Sequence, residues 1–253
     1  MRLLETETGK FEWFSEPHLV RYAILSHVWS KKTDADYTPE ETYADVVKAQ
    51  STHPDDTLSH ISEKIQNACR VALGDGFRYI WIDTCCIDKS SSAELSKAIN
   101  SMFNWYRCSK ICYAYLDKDF KEPFHPDEIL KCVWFRRGWT LQELIASRLV
   151  VFISKSWGLL GTKHGLAPYI AKGTGISIEV LRHERQLADV SVAERMYWAS
   201  TRTTTEMEDE AYCLIGIFGV NMMPIYGEGA HAFARLQRAI LEQISDQSIF
   251  AWG

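Results

Sequence analysis

The sequence predicts an α/β fold: a parallel β-sheet flanked by helices, followed by a C-terminal helical extension. Two patterns predict it. Short, wholly apolar runs recur through the first 153 residues, too continuous for a sheet with one wet face. Between them lie segments with helical apolar spacing, and parallel neighbours need such crossovers, which then cover both faces of the sheet.

The first run, 22–26 (YAILS), ends in small and polar residues, as a buried strand does where it opens onto a loop. Residues 30–56 are polar, contain Pro39 and Pro54 and lack a sustained period, so they read as a long loop with at most a short helix over 43–49. Leu58, Ile61, Ile65, Ala68 and Ala72 fall at helical spacing, and Gly74 supplies a stop. A second strand follows at 77–83 (FRYIWID). Ser91 and Glu94 make a capping-box pattern ahead of Leu95, Ile99, Met102 and Tyr106, one stripe on a helix over 92–108. The third strand is 111–116 (ICYAYL). After a proline-containing loop over 117–131 come a short helix over 140–146 and a fourth strand at 149–153 (LVVFI).

Beyond 153 no strand is evident, and helices are expected over 192–201, 209–218 and 230–244. No Gly/Ser/Pro-rich linker divides the halves, so 1–253 reads as one domain, with an α/β core over 1–153 and a helical subdomain, 154–253, packed on it.

Composition narrows the function. Hydrophobic residues make up 46% of the 253 and charged residues 24%, which excludes disorder as the dominant state. A net charge of -5 argues against a nucleic-acid partner. No apolar run reaches the roughly 18 residues of a spanning helix, and no secretory leader is present, so a cytoplasmic location is expected. Seven cysteines, an odd number without a C-x-x-C pair, suit free thiols in a reducing compartment. The histidines show no H-x-x-x-H spacing, so no metal site is expected, and neither G-x-G-x-x-G nor a Walker-type loop occurs.

Ligands of open parallel sheets bind beyond the carboxyl ends of the strands. Ser26, His27 and Trp29 follow the first strand, and Asp83, Cys85, Cys86 and Asp88 follow the second. Each also has a structural role open to it: His27 and Asp83 as loop caps, Trp29 as a core aromatic. A Ser26–His27–Asp83 hydrolase triad lacks the G-x-S-x-G elbow, and a thiolate at Cys85 or Cys86 beside His27 competes with inert burial. The segment 134–147 (WFRRGWTLQELIAS) gathers two tryptophans, Arg136, Arg137 and Glu143. A carboxylate beside ring faces and guanidinium suits an aromatic, phosphate-bearing ligand and positive charge on a sugar ring. Against this, Thr140-x-x-Glu143 is a capping-box pattern, in which Glu143 serves only as a cap. The acidic run Glu206, Glu208, Asp209, Glu210 reads as favourable charge at a helix N-terminus.

Four blocks, YAILSHVW (22–29), YIWIDTCCIDKSSSAELSKAINSMFNWYR (79–107), FRRGWTLQELIAS (135–147) and RMYWASTRTTTEMEDEAYCLIGIFGVNMMPIYGEGAHAFARLQ (195–237), resemble the successive blocks of the fungal heterokaryon incompatibility (HET) domain. The resemblance implies an N-terminal effector of a fungal NOD-like receptor or allorecognition protein, triggering programmed cell death on detection of non-self. It also implies a following nucleotide-binding oligomerisation module, the stretch 248–253 (SIFAWG) lying where such proteins continue into it.

HET domains are in turn regarded as distant relatives of TIR domains, whose flavodoxin-like parallel sheet agrees with the order read above. The run 139–144 (WTLQEL) is similar to the W-C-L-x-E-L block of plant TIR enzymes, with Thr140 in place of Cys, and this likeness makes Glu143 the catalytic candidate. The implied reaction is cleavage of NAD+ at the nicotinamide–ribose bond on self-association, with NAD+ as substrate and no cofactor required. Glu143 would stabilise the oxocarbenium-like transition state. By position, Trp29 or Trp139 would stack a base, Arg136 or Arg137 would hold phosphate, and Ser26, His27 and Asp83 would line the crevice. The alternative is a non-catalytic adaptor that recruits a death-executing partner.

Overall fold

A computed structural model describes residues 1–30, 37–121 and 123–251. Parts of the 30–56 and 117–131 loops and of the 248–253 stretch therefore lie outside the described residues. The chain begins with β1 (Arg2–Glu5) and β2 (Phe11–Trp13), then β3 (Tyr22–His27), α1 (Tyr43–Thr52), α2 (Glu63–Gly74), β4 (Tyr79–Ile82), α3 (Ser92–Cys108), β5 (Ile111–Tyr115), α4 (Trp139–Ala146), β6 (Val150–Ile153) and β7 (Leu159–Thr162). It continues through α5 (Lys163–Thr174), α6 (Ile178–Leu181), α7 (Val192–Ala199), α8 (Asp209–Tyr212), α9 (Ile215–Phe218) and α10 (His231–Gln243).

The sheet runs β2-β1-β4-β3-β5-β6-β7. Its centre, β4-β3-β5-β6, is parallel. Numbered in chain order these four strands stand 2-1-3-4, the flavodoxin-type sequence, with its switch point between β3 and β5. Every residue of β3 and β4 is buried, as continuous apolar strands covered on both faces must be. Leu25 pairs with Ile82 and Ser26 with Ala114, which brings the carboxyl ends of β3, β4 and β5 to one rim.

Three antiparallel strands depart from the all-parallel expectation. β1 pairs with β2 and β4, and β7 closes the other edge against β6. They are three or four residues long and partly exposed, and outer strands of that length carry no continuous apolar run to betray them, β1 lying one strand in from the edge. The expectation of no strand beyond 153 fails at β7 for the same reason. α5 also went unread, because Gly165, Pro168 and Gly173 are weak helix formers and the helix relies on the Thr162 cap and its buried face. The helix expected over 209–218 is two short ones, α8 and α9.

The C-terminal helices pack tightly on the core. A methyl group at Gly216 of α9 would stand 2.1 Å from Cβ of Phe103 on α3. The Asn100 amide donates to the Met222 carbonyl (2.9 Å) and accepts from the Met222 N–H (3.1 Å). Between them, α4 is buried from Thr140 to Ala146. The seven cysteines are free, Cys108 half-buried and the others buried. Among the described residues no helix is long and apolar enough to cross a membrane.

Candidate functional site

Strand alternation sorts the first candidates. Tyr22 donates to the Trp105 carbonyl of α3, and Ser26 Oγ accepts from Trp134 Nε1 (2.7 Å), so Tyr22 and Ser26 face α3 and α4. His27, next along β3, takes the opposite face. There its Nε2 lies 3.0 Å from Asp83 Oδ1, while Trp29 Nε1 donates to Asp83 Oδ2 (2.8 Å). Lys89 Nζ stands 3.5 Å from the centre of the Trp29 ring. Burial opposes charge on Asp83, but the His27 and Trp29 hydrogen bonds and the nearby Lys89 charge prevail and hold its carboxyl below the usual value. Trp29 is not a core aromatic: its ring is 40% exposed.

The opposite facing of Ser26 and His27 removes the hydrolase triad, since the histidine is turned from the hydroxyl it would have to deprotonate. Cys85 and Cys86 are buried, and the Cys86 contact together with burial raises the Cys85 thiol well above its ordinary value. A thiolate nucleophile is disfavoured there.

Glu143 is not a helix cap. α4 begins at Trp139, with Gly138 preceding it and no side-chain cap, so Thr140 lies inside the first turn. The Thr140 hydroxyl sits 2.5 Å from the Trp134 carbonyl and 2.9 Å from that of Arg137, and leaves the helix amides alone. Glu143 is one turn further in and only 5% exposed. The hydroxyls of Ser26 and Tyr106 lie close enough to favour its charged form, the Tyr106 hydroxyl itself donating to the Leu25 carbonyl (3.4 Å), while Oε2 is buried without a partner. Burial pushes its pKa up to about 8; the Asp83 charge adds to this, and the two hydroxyls and Arg137 oppose it. At neutral pH the resting side chain is therefore predominantly the neutral acid.

The guanidinium groups surround the entry to α4. Arg137, half-buried, donates to Thr205 Oγ1 (3.1 Å), and its backbone pairs with Thr203. Arg136 is exposed, with its carbonyl accepting from the Thr203 N–H (2.7 Å). Arg202 donates through Nη1 to the Arg137 carbonyl (2.9 Å) and to Thr140 Oγ1 (3.0 Å). Its Nη2 is buried without a partner, and burial lowers its pKa to about 10 against the pull of Cys213 and Glu143. Trp139 Nε1 donates to Asp209 Oδ2 (3.0 Å), and Tyr226 donates to Oδ1 (3.0 Å). Burial raises the Asp209 carboxyl despite these bonds. The acidic run thus does more than favour a helix end: Asp209 anchors Trp139, and Glu208 accepts from the Gly227 and Gly229 N–H groups (2.7 and 2.9 Å).

The fold sets Ser26 near Glu143 and binds His27, Trp29 and Asp83 into one network whose charge reaches Glu143. Trp139 belongs to a neighbouring cluster with Asp209, Arg137 is felt by both carboxyls, and Arg136 stands apart. Sequence pattern alone does not mark Tyr106, Arg202 and Asp209 for this region: Tyr106 falls in the apolar stripe of α3, and Arg202 and Asp209 lie more than fifty residues from Glu143 in the chain. A cavity of about 340 Å³ opens beside the start of α4, lined by Gly138, Arg202, Cys213, Leu214 and Phe233 among others; Glu143 does not line it.

Fold and site together define an α/β domain with a parallel sheet centre and polar side chains toward the carboxyl ends of β3 and β4 and at the start of α4. Residues 22–126 match the family model described as "Heterokaryon incompatibility protein (HET)", and 231–253 match "Domain of unknown function (DUF8212)". Over 228 residues, 87% of this chain, the sequence is 43% identical to "Vegetative incompatibility protein HET-E-1" of Podospora anserina. The chain belongs to the heterokaryon incompatibility (HET) family. It spans 16% of the length of that curated relative. No solved structure matches it.

Proposed function

We propose that this chain is a cell-death effector domain of fungal incompatibility, TIR-like in its chemistry, which cleaves NAD+ at the nicotinamide–ribose bond when copies of it are brought together. The observation that carries this reading is the state of Glu143: a buried carboxyl free of any capping duty, with the Ser26 and Tyr106 hydroxyls nearby and Oε2 left unpartnered. The similarity of 139–144 to a TIR catalytic block supports it.

Positive charge arriving on a pyridinium, and then growing on the ribose, favours the ionised form of a neighbouring carboxyl. Glu143, neutral at rest, gives up its proton to water as that charge approaches, and the carboxylate stabilises the oxocarbenium-like state. Nicotinamide leaves with the electrons of the glycosidic bond. Water then adds to the anomeric carbon, giving ADP-ribose and a proton. The exposed Trp29 face is the stacking surface for a base, and Arg137, close to Glu143, contacts phosphate.

The curated relative is far longer than this chain, and the reading includes a nucleotide-binding oligomerisation module elsewhere in the full-length protein as the part that supplies proximity. A cytoplasmic site of action belongs to the same reading, NAD+ being available there.

Nicotinamide release from NAD+ tests the reading, with the purified chain either concentrated or fused to an oligomerising partner. Glu143→Ala should lose at least about a hundredfold in rate while its circular dichroism and melting remain those of a folded protein. Undiminished toxicity in that variant, without NAD+ loss, assigns the chain to partner recruitment instead.

A further inference from the structure

At the end of the sheet opposite Ser26 and Asp83 lies a second concavity, of about 460 Å³. It is lined by His18, Arg107, Cys108, Ser109, Lys110 and Arg148. Three separate parts of the chain supply these residues: the turn Pro17–Leu19 before β3, the turn from α3 into β5, and the turn from α4 into β6. The Lys110 N–H bonds the Tyr22 carbonyl (3.0 Å), which fixes the second of these turns against the first strand.

No carboxylate lines this space, in a chain whose net charge is -5. His18 is 3.6 Å from Glu16, and Arg107 donates to the neutral amide oxygen of Asn104 (2.8 Å). Among the described residues Lys110 and Arg148 have no carboxylate within ion-pair distance. The carbonyl end of α3 contributes about half a negative charge nearby, which a single basic residue in its last turn would offset. Two arginines and a lysine exceed that need. The sign of the surplus, the donors of two guanidinium groups and the size of the space fit an anion with more than one phosphate.

We propose that this cavity binds an oligophosphate group, at a site separate from the Glu143 region and independent of the reaction proposed there. Two sources share that chemistry: a soluble oligophosphate and the phosphorylated headgroup of an inositol lipid.

Tripolyphosphate titrated calorimetrically into the whole chain at low salt is the first probe. Arg107→Glu and Arg148→Glu should each weaken binding about tenfold or more, as loss of a charge-assisted contact does. Arg70→Glu, which makes the same charge change on the exposed side of α2, should stay within about twofold of the parent.

Cys108, half-buried where the other cysteines are buried, gives a local readout. Its reaction with a thiol reagent, identified by loss of the fast phase in Cys108→Ser, should slow on adding tripolyphosphate to the parent and not to Arg107→Glu. Sedimentation with phosphatidylcholine vesicles, with and without a bisphosphorylated inositol lipid, separates the sources. Retention on the phosphorylated vesicles that is lost in Arg148→Glu assigns a headgroup, and tripolyphosphate binding alone assigns a soluble ligand. Equal weakening by Arg70→Glu, an unprotected Cys108, or no binding to either probe overturns the proposal.

Discussion

Glu143 is surrounded by groups that compete over its proton. Ser26, Tyr106 and Arg137 favour the charged form, but burial outweighs them and places the pKa at about 8, against an ordinary 4.5. In the unfolded chain the side chain ionises from about 4.5 upward, while the folded protein keeps the proton until about 8. Across that window the folded state binds more protons, so this group lowers stability as pH rises. Glu143→Gln keeps the shape and cannot ionise. It should match the parent in urea unfolding near pH 4 and exceed it by roughly 2–5 kcal/mol near pH 8. Parallel pH profiles for the two proteins would mean that Glu143 is already charged in the resting protein.

Helix α4, which carries this residue, is too short to stand alone. Its N-terminus has no side-chain cap, and its far end is held by another element. Lys163, the first residue of α5, donates to the Leu144 and Ser147 carbonyls (2.9 and 2.5 Å) and lies 3.0 Å from His183 Nε2. His183 adopts a left-handed φ of 57°, an uncommon conformation for a residue with a side chain, at the point where it also meets the Ser147 carbonyl (3.0 Å). Burial lowers the Lys163 pKa from 10.5 to about 7. Between those values the unfolded state holds more protons, so this group adds stability as pH rises, the reverse of Glu143. Lys163→Met leaves two buried carbonyls without their donor and should cost about 2 kcal/mol at pH 9 by urea unfolding. The loss should be smaller at pH 6, where the parent already bears the burden of a buried charge. A cost that is flat with pH would show that Lys163 titrates normally.

On the scale of the molecule, the two ends of the sheet differ in character: the carboxyls of Asp83 and Glu143 stand toward the carboxyl ends of the strands, the first charged and the second neutral at rest, and the basic cavity lies at the other. The C-terminal helices complete the first of these ends, since Arg202 and Asp209 reach the start of α4 from outside the α/β core. Their seating depends on Gly216, where α9 meets Phe103 with no space for a methyl group. Gly216→Ala must push two helices apart and should cost about 1–3 kcal/mol, lowering the melting midpoint by roughly 2–10 °C. An unchanged midpoint would mean that the contact yields freely.

The sequence by itself determined the parallel centre of the sheet, because strands buried on both faces must be continuously apolar and that mark is local. It determined the helix over 92–108, whose bounds the structure repeats, and the blocks that mark the family. It also singled out 134–147. Only the tertiary structure decided what Glu143 is: the pattern Thr140-x-x-Glu143 is the same in a cap and in a helix that has already begun, and the choice was made by carbonyls of Trp134 and Arg137 capturing the hydroxyl. The antiparallel edges, and the approach of Tyr106, Arg202 and Asp209, were likewise settled by contacts across long stretches of chain. Periodicity records which side of an element is buried, and it holds no record of which distant residue will bury it.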